Sequence, residues 1–486
     1  MTPTSPPPTG PPQAGVVRTK IPARLDRLPW SRPHWMILIG LGTVWILDGL
    51  EVTIVGNISG QIAKPGSGLD ITQAQIAGPG AALYVAGACI GALFFGRLTD
   101  RFGRKKLFII TLAVYLAGTA LTALAWTPWW FFLCRFITGF GIGGEYAAIN
   151  SAIDELIPSK HRGRVDIVIN GSYWLGAAGG ALLTVPLLNE FSTGVGWRLA
   201  FGLGVVLGLV ILLVRRNVPE SPRWLIIHGH TEQAERVVGG MERQVERETG
   251  DRLAEPERSI DIHQRKTIGF GEIARTMVTR YPRRTILGFS LFVGQAFLYN
   301  AITFGYAQIL TKFFGVDTYT GYYFAVIAIG NFLGPLILAP LFDTVGRKPM
   351  IAGTYILSGV LLLGTAYLFG QGHLTATTLT ACWCVVLFFA STGASSAYLT
   401  VSEIFPMETR AMAIAFFYAI GTAVGGITGP LLFSKLVETG RPGDTALAFV
   451  IGAVLMIAAG IVALLFAVKA ERRSLEDIAK PLTAAS

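Results

Sequence analysis

The sequence predicts an all-α membrane protein: twelve transmembrane helices in two pseudo-symmetric six-helix bundles. Three observations carry that prediction: a shortage of charge, an alternating placement of basic residues, and an internal repeat. The chain has 486 residues, 52% of them hydrophobic and only 14% charged, with a mean hydropathy of +0.53. A soluble domain has roughly a quarter charged residues. The polar surface is too small to coat a water-soluble globule of this size, so lipid must cover part of it. The 58 glycines fit that reading, because small residues let helices approach closely in a bilayer.

A spanning helix needs about 20 mostly apolar residues. Such runs fall at 35–56, 76–97, 106–126, 129–152, 166–189 and 198–215, and again at 285–311, 320–342, 349–369, 374–400, 411–435 and 445–469. The domain boundaries follow: a tail over 1–34, a first bundle over 35–215, a linker with short helices over 216–284, a second bundle over 285–469 and a tail over 470–486. Within the linker, Thr231 to Glu248 is predicted as a surface helix. Met1 to about Ala23 is rich in Pro, Thr and Gly, lacks the apolar core of a signal peptide, and reads as disordered.

Orientation comes from the basic residues. Arg18, Lys20, Arg24, Arg27 and Arg32 precede the first span; Arg97, Arg101, Arg104, Lys105 and Lys106 occupy the second loop; Lys160, Arg162 and Arg164 occupy the fourth. The alternate loops are nearly bare, with Lys64 in the first and Arg198 near the fifth. Both termini and the linker are therefore expected in the cytosol, with the chain in the plasma (inner) membrane. The net charge of +10 is then a topology signal, and no nucleic-acid partner is expected.

The two halves repeat each other. Glu155, Pro158 and Arg162 recur as Glu403, Pro406 and Arg410, each 248 residues later (403 − 155, 406 − 158, 410 − 162). Asp100, Gly103, Arg104 and Lys105 recur as Asp343, Gly346, Arg347 and Lys348 at an offset of 243 (343 − 100). Two motifs in the same order at nearly the same spacing indicate a duplicated six-helix unit in parallel orientation.

These residues resemble the major facilitator superfamily. Gly96-Arg-Leu-Thr-Asp100-Arg101-Phe-Gly103-Arg104-Lys105 is similar to its signature loop between helices two and three. Arg135, Gly139, Gly141, Gly143, Glu155, Pro158, Arg162 and Gly163 resemble the fourth-helix motif of its sugar-porter branch. Pro219-Glu220-Ser221-Pro222-Arg223-Trp224-Leu225 is similar to that branch's marker after helix six, Gln295 and Asn300 to its seventh-helix pair, and Ser402-Glu403-Ile-Phe-Pro406 to its marker after helix ten. Asp48-Gly49-Leu50-Glu51 and Gly143-Gly144-Glu145 resemble relatives that carry organic acids and similar metabolites. The resemblance implies a secondary transporter of a small polar solute (a sugar, polyol or organic acid) working by alternating access, with proton symport expected. Proton-antiport export and uncoupled uniport are the rival modes.

Charges within spans are expensive and are kept when paired or functional. Helix one carries Asp48 and Glu51, and helix four carries Arg135 and Glu145. By depth, Glu51 and Arg135 are expected to meet on the outer side of the cavity. The resemblance places them on the helix-one acid and helix-four arginine of proton-coupled relatives. Glu51 is expected to take a proton when Arg135 moves away, with Glu145 a second proton site or a helix spacer and Asp48 an orienting group. At the inner helix ends, Asp100, Arg104, Glu155 and Arg162, repeated as Asp343, Arg347, Glu403 and Arg410, are expected to latch a cytosolic gate through carboxylate–guanidinium pairs.

For the solute, Asn170, Gln295, Asn300 and Tyr398 are the expected polar contacts, and Trp174 and Phe304 the expected stacking surfaces. Amides both donate and accept, which suits hydroxyls or a carboxamide. Cys89, Cys134, Cys382 and Cys384 lie in apolar runs and the six histidines in or beside loops, so neither a metal nor a cofactor is expected. No catalytic set or nucleotide-phosphate loop is present, which argues against an enzyme or an ATP-driven pump. Each chain carries both halves of a pathway, so a monomer is expected to suffice.

Overall fold

In hydrocarbon a backbone can satisfy its hydrogen bonds only within its own helix, and the chain obeys this throughout its apolar runs. The computed structural model describes residues 16–215, 220–256, 259–263, 270–316, 319–406, 410–471 and 473–479. Its long helices are α1 (Arg32–Ile62), α2 (Gln73–Gln75, Ile76–Gly80 and Ala81–Phe102 in one run), α3 (Arg104–Ala123), α4 (Pro128–Leu156), α5 (Arg162–Glu190) and α6 (Thr193–Arg215). The second half has α7 (Pro282–Phe314), α8 (Thr320–Thr344), α9 (Arg347–Gly370), α10 (Ala376–Ile404), α11 (Arg410–Thr422, Ala423–Ile427 and Thr428–Glu438) and α12 (Pro442–Phe466). Among the described residues, eleven of these are long and apolar enough to cross a membrane. The twelfth is α4, which carries Arg135 and Glu145 and packs against α2 and α3.

The helices run several residues beyond the apolar runs. The spans predicted at 35, 166 and 285 begin at Arg32, Arg162 and Pro282. Hydropathy marks only the lipid slab, whereas the ends are set by caps. Thr127 accepts the Trp130 amide at the start of α4, with Pro128 at the first helical position, where its missing N–H costs nothing.

The same packing pairs recur in both halves: α1–α5 as α7–α11, α2–α4 as α8–α10, α3–α4 as α9–α10 and α3–α6 as α9–α12. The repeated Gly103 and Gly346 end α2 and short-turn α8 into the next helix with φ of +90° and +111°, a region that favours glycine. At the α1–α5 contact, a Cβ on Gly176 would lie 1.5 Å from the Ile46 carbonyl oxygen, so only glycine lets these two backbones touch. Large apolar side chains such as Ile39, Ile337 and Leu465 are more than half exposed on the outer surface. On a soluble protein that would be an aggregation surface; here it is the face that meets lipid.

The expected disorder up to Ala23 is corrected by the structure. Residues 1–15 lie outside the described residues, but strand β1 (Val16–Thr19) pairs antiparallel with β2 (Ile260–His263) of the linker, Val16 opposite His263. A short helix, Ile21–Asp26, follows and packs on the linker helix Thr231–Thr249, which buries Ala234, Val238, Met241 and Val245. Composition could not show this, because the partners lie more than two hundred residues away. The predicted surface helix is present, and the linker also holds short helices at Pro222–Ile227 and Phe270–Arg275.

Charge holds this layer together. Glu242 accepts from Arg24 Nε at 3.0 Å and from Arg27 Nη2 at 2.5 Å, and Arg24 also pairs with Glu235. Burial by itself would push the Glu242 carboxyl up, but the hydrogen bonds from Arg24 and Arg27 outweigh it and hold the group below its ordinary value. A lowered carboxyl contributes its stability above the unfolded value and loses it as pH falls through the folded one. Glu242→Gln should therefore speed amide exchange across Val16–Asp26 about tenfold at neutral pH, a loss of about 1.4 kcal/mol. The difference between variant and wild type should shrink as pH drops below about 4.

Candidate functional site

The two halves meet along α1–α7, α2–α11, α5–α8 and α4–α11. On the face that carries the linker, the Arg164 amide donates to Asp343 Oδ2 at 3.0 Å, Gly163 lies against the Arg347 guanidinium, and Gly96 packs on Ala415. On the opposite face, Ser434 Oγ donates to the Ala74 carbonyl at 3.2 Å and Gly56 touches the Thr303 backbone. Between these contacts lies a cavity of about 130 Å³. One water needs roughly 10–15 Å³ by this measure, so the space suits a small organic molecule.

All six residues expected to meet a solute line this cavity: Asn170, Trp174, Gln295, Asn300, Phe304 and Tyr398. Asn170 Nδ2 donates to Asn150 Oδ1 at 2.9 Å and to Asp166 Oδ1 at 2.5 Å, which fixes its amide. Asn300 Nδ2 donates to the Ala296 carbonyl one turn back. Trp174 packs against Tyr299, ring centroids 5.2 Å apart, and the Tyr299 hydroxyl donates to Asn331 Oδ1 at 3.1 Å.

Sequence reasoning missed most of the aromatic wall. Trp45, Tyr84, Tyr146, Tyr173, Tyr299 and Tyr418 also line the cavity. Trp45 stacks on Tyr146 at 4.7 Å, and Tyr146 leans on Tyr418 at 4.9 Å. Isolated aromatics in apolar helices carry no local signal of which face they occupy. The hydroxyl of Tyr84, the indole N–H of Trp45 and the hydroxyl of Thr422 are buried and have no hydrogen-bond partner among the described residues. All three residues line the cavity, and a buried polar group of this kind calls for a reason. Thr422 directly precedes the π-helical turn Ala423–Ile427 of α11, and α2 opposite carries another at Ile76–Gly80 around Pro79. Such turns often mark sites of function.

The four intramembrane charges stand behind the wall, and none lines the cavity. Glu51 and Arg135 meet: Nη1 lies 3.4 Å from Oε1, both side chains are 1% exposed, and Thr119 donates to the same oxygen at 2.7 Å. Among the described residues Glu51 Oε2 and Arg135 Nη2 have no hydrogen-bond partner, so there the pair is only half satisfied. The Arg135 guanidinium sits 4.7 Å from the Tyr84 ring and 5.7 Å from that of Phe201. Glu145 instead accepts from Thr111 of α3 at 3.2 Å, between helices of one half. Asp48 is fully buried on α1.

The charges at the linker face are described in part in each half. In the second, Arg347 grips Glu403 with Nε and Nη2 at 3.0 and 2.9 Å and Asp343 with Nη1 at 2.9 Å. Arg410 Nε donates to the Ser402 carbonyl at 2.5 Å. In the first, the side chains of Asp100 and Arg104 lie outside the described residues. Arg162 pairs with Asp26 at 3.4 Å, Glu155 accepts from Ser151 at 3.1 Å, and Arg223 donates to the Glu155 carbonyl at 2.9 Å. Asp26, unforeseen from the sequence, also accepts the Ser159 amide at 3.1 Å, and so ties the N-terminal segment to the α4–α5 turn. Glu220 accepts the Lys105 amide at the start of α3 at 3.1 Å, which favours a carboxylate there. Among the described residues, no group of His, Cys, Asp and Glu could hold a metal ion.

Twelve long helices in two equivalent halves, with a polar cavity at their seam, define an integral membrane transporter of the major facilitator fold, a carrier of small solutes and not an enzyme. The family model described as "Sugar (and other) transporter" matches residues 57–481, and the chain belongs to that family. It is 27% identical over 415 residues to the "Niacin transporter NiaP" of Acinetobacter baylyi, covering 85% of this chain and 90% of the relative. It is 26% identical to the "D-xylose transporter" of Levilactobacillus brevis, covering 72% and 76%. The solved proton:xylose symporter XylE superposes with a TM-score of 0.73 over 92% of this chain and 98% of that one, at 17% identity. XylE from E. coli in its inward-open conformation gives 0.63 over 92% and 99%, at 18% identity.

Asp343 accepts from both halves, from Arg347 and from the Arg164 amide. Asp343→Ala should loosen the contact at the linker face. A cysteine introduced at the buried Ala415 should then react with a maleimide added on that face several-fold faster than in the wild-type background.

Proposed function

We propose that the chain carries a small planar solute with hydrogen-bond acceptors across the plasma (inner) membrane, in symport with protons, by alternating access. The linker face lies in the cytosol on this reading. The observation that carries it is the cavity wall: nine aromatic residues and three amides, with no ionisable acid or base other than tyrosine. Stacked aromatics favour a flat ring. The unpartnered donors of Trp45 and Tyr84 favour a carboxamide, carboxylate or ring nitrogen. The niacin-transporting relative agrees with this class. A sugar is the second reading, favoured by Asn170, Gln295 and Asn300 as hydroxyl partners and by the xylose-transporting relative.

Proton coupling rests on Glu51 and Arg135. Buried in lipid, the ionised carboxylate depends on the guanidinium 3.4 Å away. When Arg135 withdraws, Glu51 takes a proton, and the neutral group crosses the rocking transition at less cost. The Asp343–Arg347–Glu403 network and its partner residues Glu155, Arg162 and Arg410 hold the cytosolic side shut until the halves rock. One chain contains both halves and the cavity, so a monomer is the functional unit.

Purified protein should be stabilised by nicotinate or nicotinamide more than by xylose, by about 2.7 kcal/mol at a hundredfold excess over the dissociation constant. Stabilisation by xylose alone would replace the first solute class with the second. In liposomes loaded with the stabilising solute, Glu51→Gln should abolish accumulation driven by a pH gradient and keep counterflow exchange. Driven uptake that survives the substitution would point to uniport or to a different proton site, and efflux driven by an inward proton gradient would point to antiport.

A further inference from the structure

The Glu51–Arg135 pair and the solute cavity do not touch, because the pair is absent from the cavity wall. Tyr84 belongs to the wall and packs on the pair: it lines the cavity, is 4% exposed, and among the described residues its hydroxyl has no hydrogen-bond partner. The face of its ring carries the Arg135 guanidinium at 4.7 Å, and it packs edge-on to Phe304 of the opposite half at 5.9 Å. It lies in α2 one turn beyond the π-helical stretch Ile76–Gly80. We infer that Tyr84 is the positioning residue that links occupancy of the cavity to protonation of Glu51. The inference rests on the proton-coupling reading above.

The argument is electrostatic and mechanical. A guanidinium in a water-poor site is held by the negative face of an aromatic ring. Arg135 has two such faces, those of Tyr84 and Phe201, and only Tyr84 lines the cavity. A solute that accepts from the Tyr84 hydroxyl pulls on the ring, and the ring is what keeps Arg135 beside Glu51. Arg135 loosens, Glu51 loses its counter-charge, and a proton from solvent bonds to its carboxylate oxygen. Linkage makes the effect reciprocal: protonation favours solute binding as much as solute favours protonation. The ionisable groups around Glu51 are Arg135 of α4, Tyr84 of α2, Tyr173 of α5 and Asp48 of α1 itself. Thr119 of α3 and Gly204 of α6 complete its surroundings without charge.

Infrared titration of the purified chain tests this without any solute. The protonated-carboxyl band of Glu51 is the band missing from Glu51→Gln. Tyr84→Leu and Tyr84→Met, which remove the ring, should each move the pH midpoint of that band upward by about one unit, a tenfold change in proton affinity. Tyr84→Phe keeps the ring and should leave the midpoint within about 0.3 units. The two ring-free variants differ in shape, so a folding defect in one leaves the other to decide. A wild-type midpoint in the folded ring-free variants overturns the inference while the proton reading stands. Absence of any Glu51 band between pH 4 and 10 overturns the proton reading, and this inference with it. With nicotinamide as probe, bound protein should show a raised midpoint in the wild type and none in Tyr84→Phe. Nicotinamide bound, by thermal shift, without that difference would overturn the link from the cavity to the hydroxyl.

Discussion

An amide in hydrocarbon has no partner but its own helix, and that constraint shapes everything else in this molecule. It turns each apolar run into a rod. Hydrophobicity gives rods in lipid little reason to associate, so contact depends on close approach and on buried polar groups. Gly176 against the Ile46 carbonyl and Gly143 against that of Ala88 show how the first requirement is met. The Thr119–Glu51–Arg135 and Asp343–Arg347–Glu403 groups show how the second is met. The seam between two sets of such rods is where the cavity lies.

Glycine contacts join helices both within a half, as at Gly176, and across the seam, as at Gly56 and Gly163, whereas the Glu51–Arg135 and Arg347–Glu403 pairs lie within a half. Across the seam, the polar contacts are single hydrogen bonds, such as Arg164 to Asp343 on one face and Ser434 to Ala74 on the other. Each is worth about 1 kcal/mol. Such single bonds add little to the contact between the halves beside the packing of α5 on α8. The Asp343–Arg347–Glu403 network lies within the second half and reaches the first through the Arg164 amide.

The linker layer adds a third element. Residues 16–26, the helix Thr231–Thr249 and the β1–β2 ribbon form a small polar assembly on one face, joined to the first bundle through Asp26, Arg223 and Glu220. Asp26 reaches Ser159 and Arg162 at the α4–α5 turn, and Glu220 reaches Lys105 at the α2–α3 turn. Two repeated motifs of the first bundle are thereby tied to segments outside the repeat. The second bundle closes a network of its own on Arg347, between Asp343 and Glu403.

The sequence by itself determined the helices, the duplication, the family and the residues whose type is costly in lipid. A charge or an amide inside an apolar run stands out because burying it has a price, and Glu51, Arg135, Asn170, Gln295 and Asn300 were legible for that reason. The tertiary structure alone decided what costs nothing locally. Trp45, Tyr84, Tyr146, Tyr173, Tyr299 and Tyr418 are unremarkable in apolar helices, and only the packing of six helices from two halves turns them toward one cavity. Asp26 and Glu242 carry no local signal of their pairing, since their partners lie far along the chain. Helix ends were legible only to within a turn, because caps such as Thr127 lie beyond the apolar slab that hydropathy detects. Composition and local pattern report the solvent each residue prefers; which side chains share a space is fixed by contacts between segments that the linear order does not bring together.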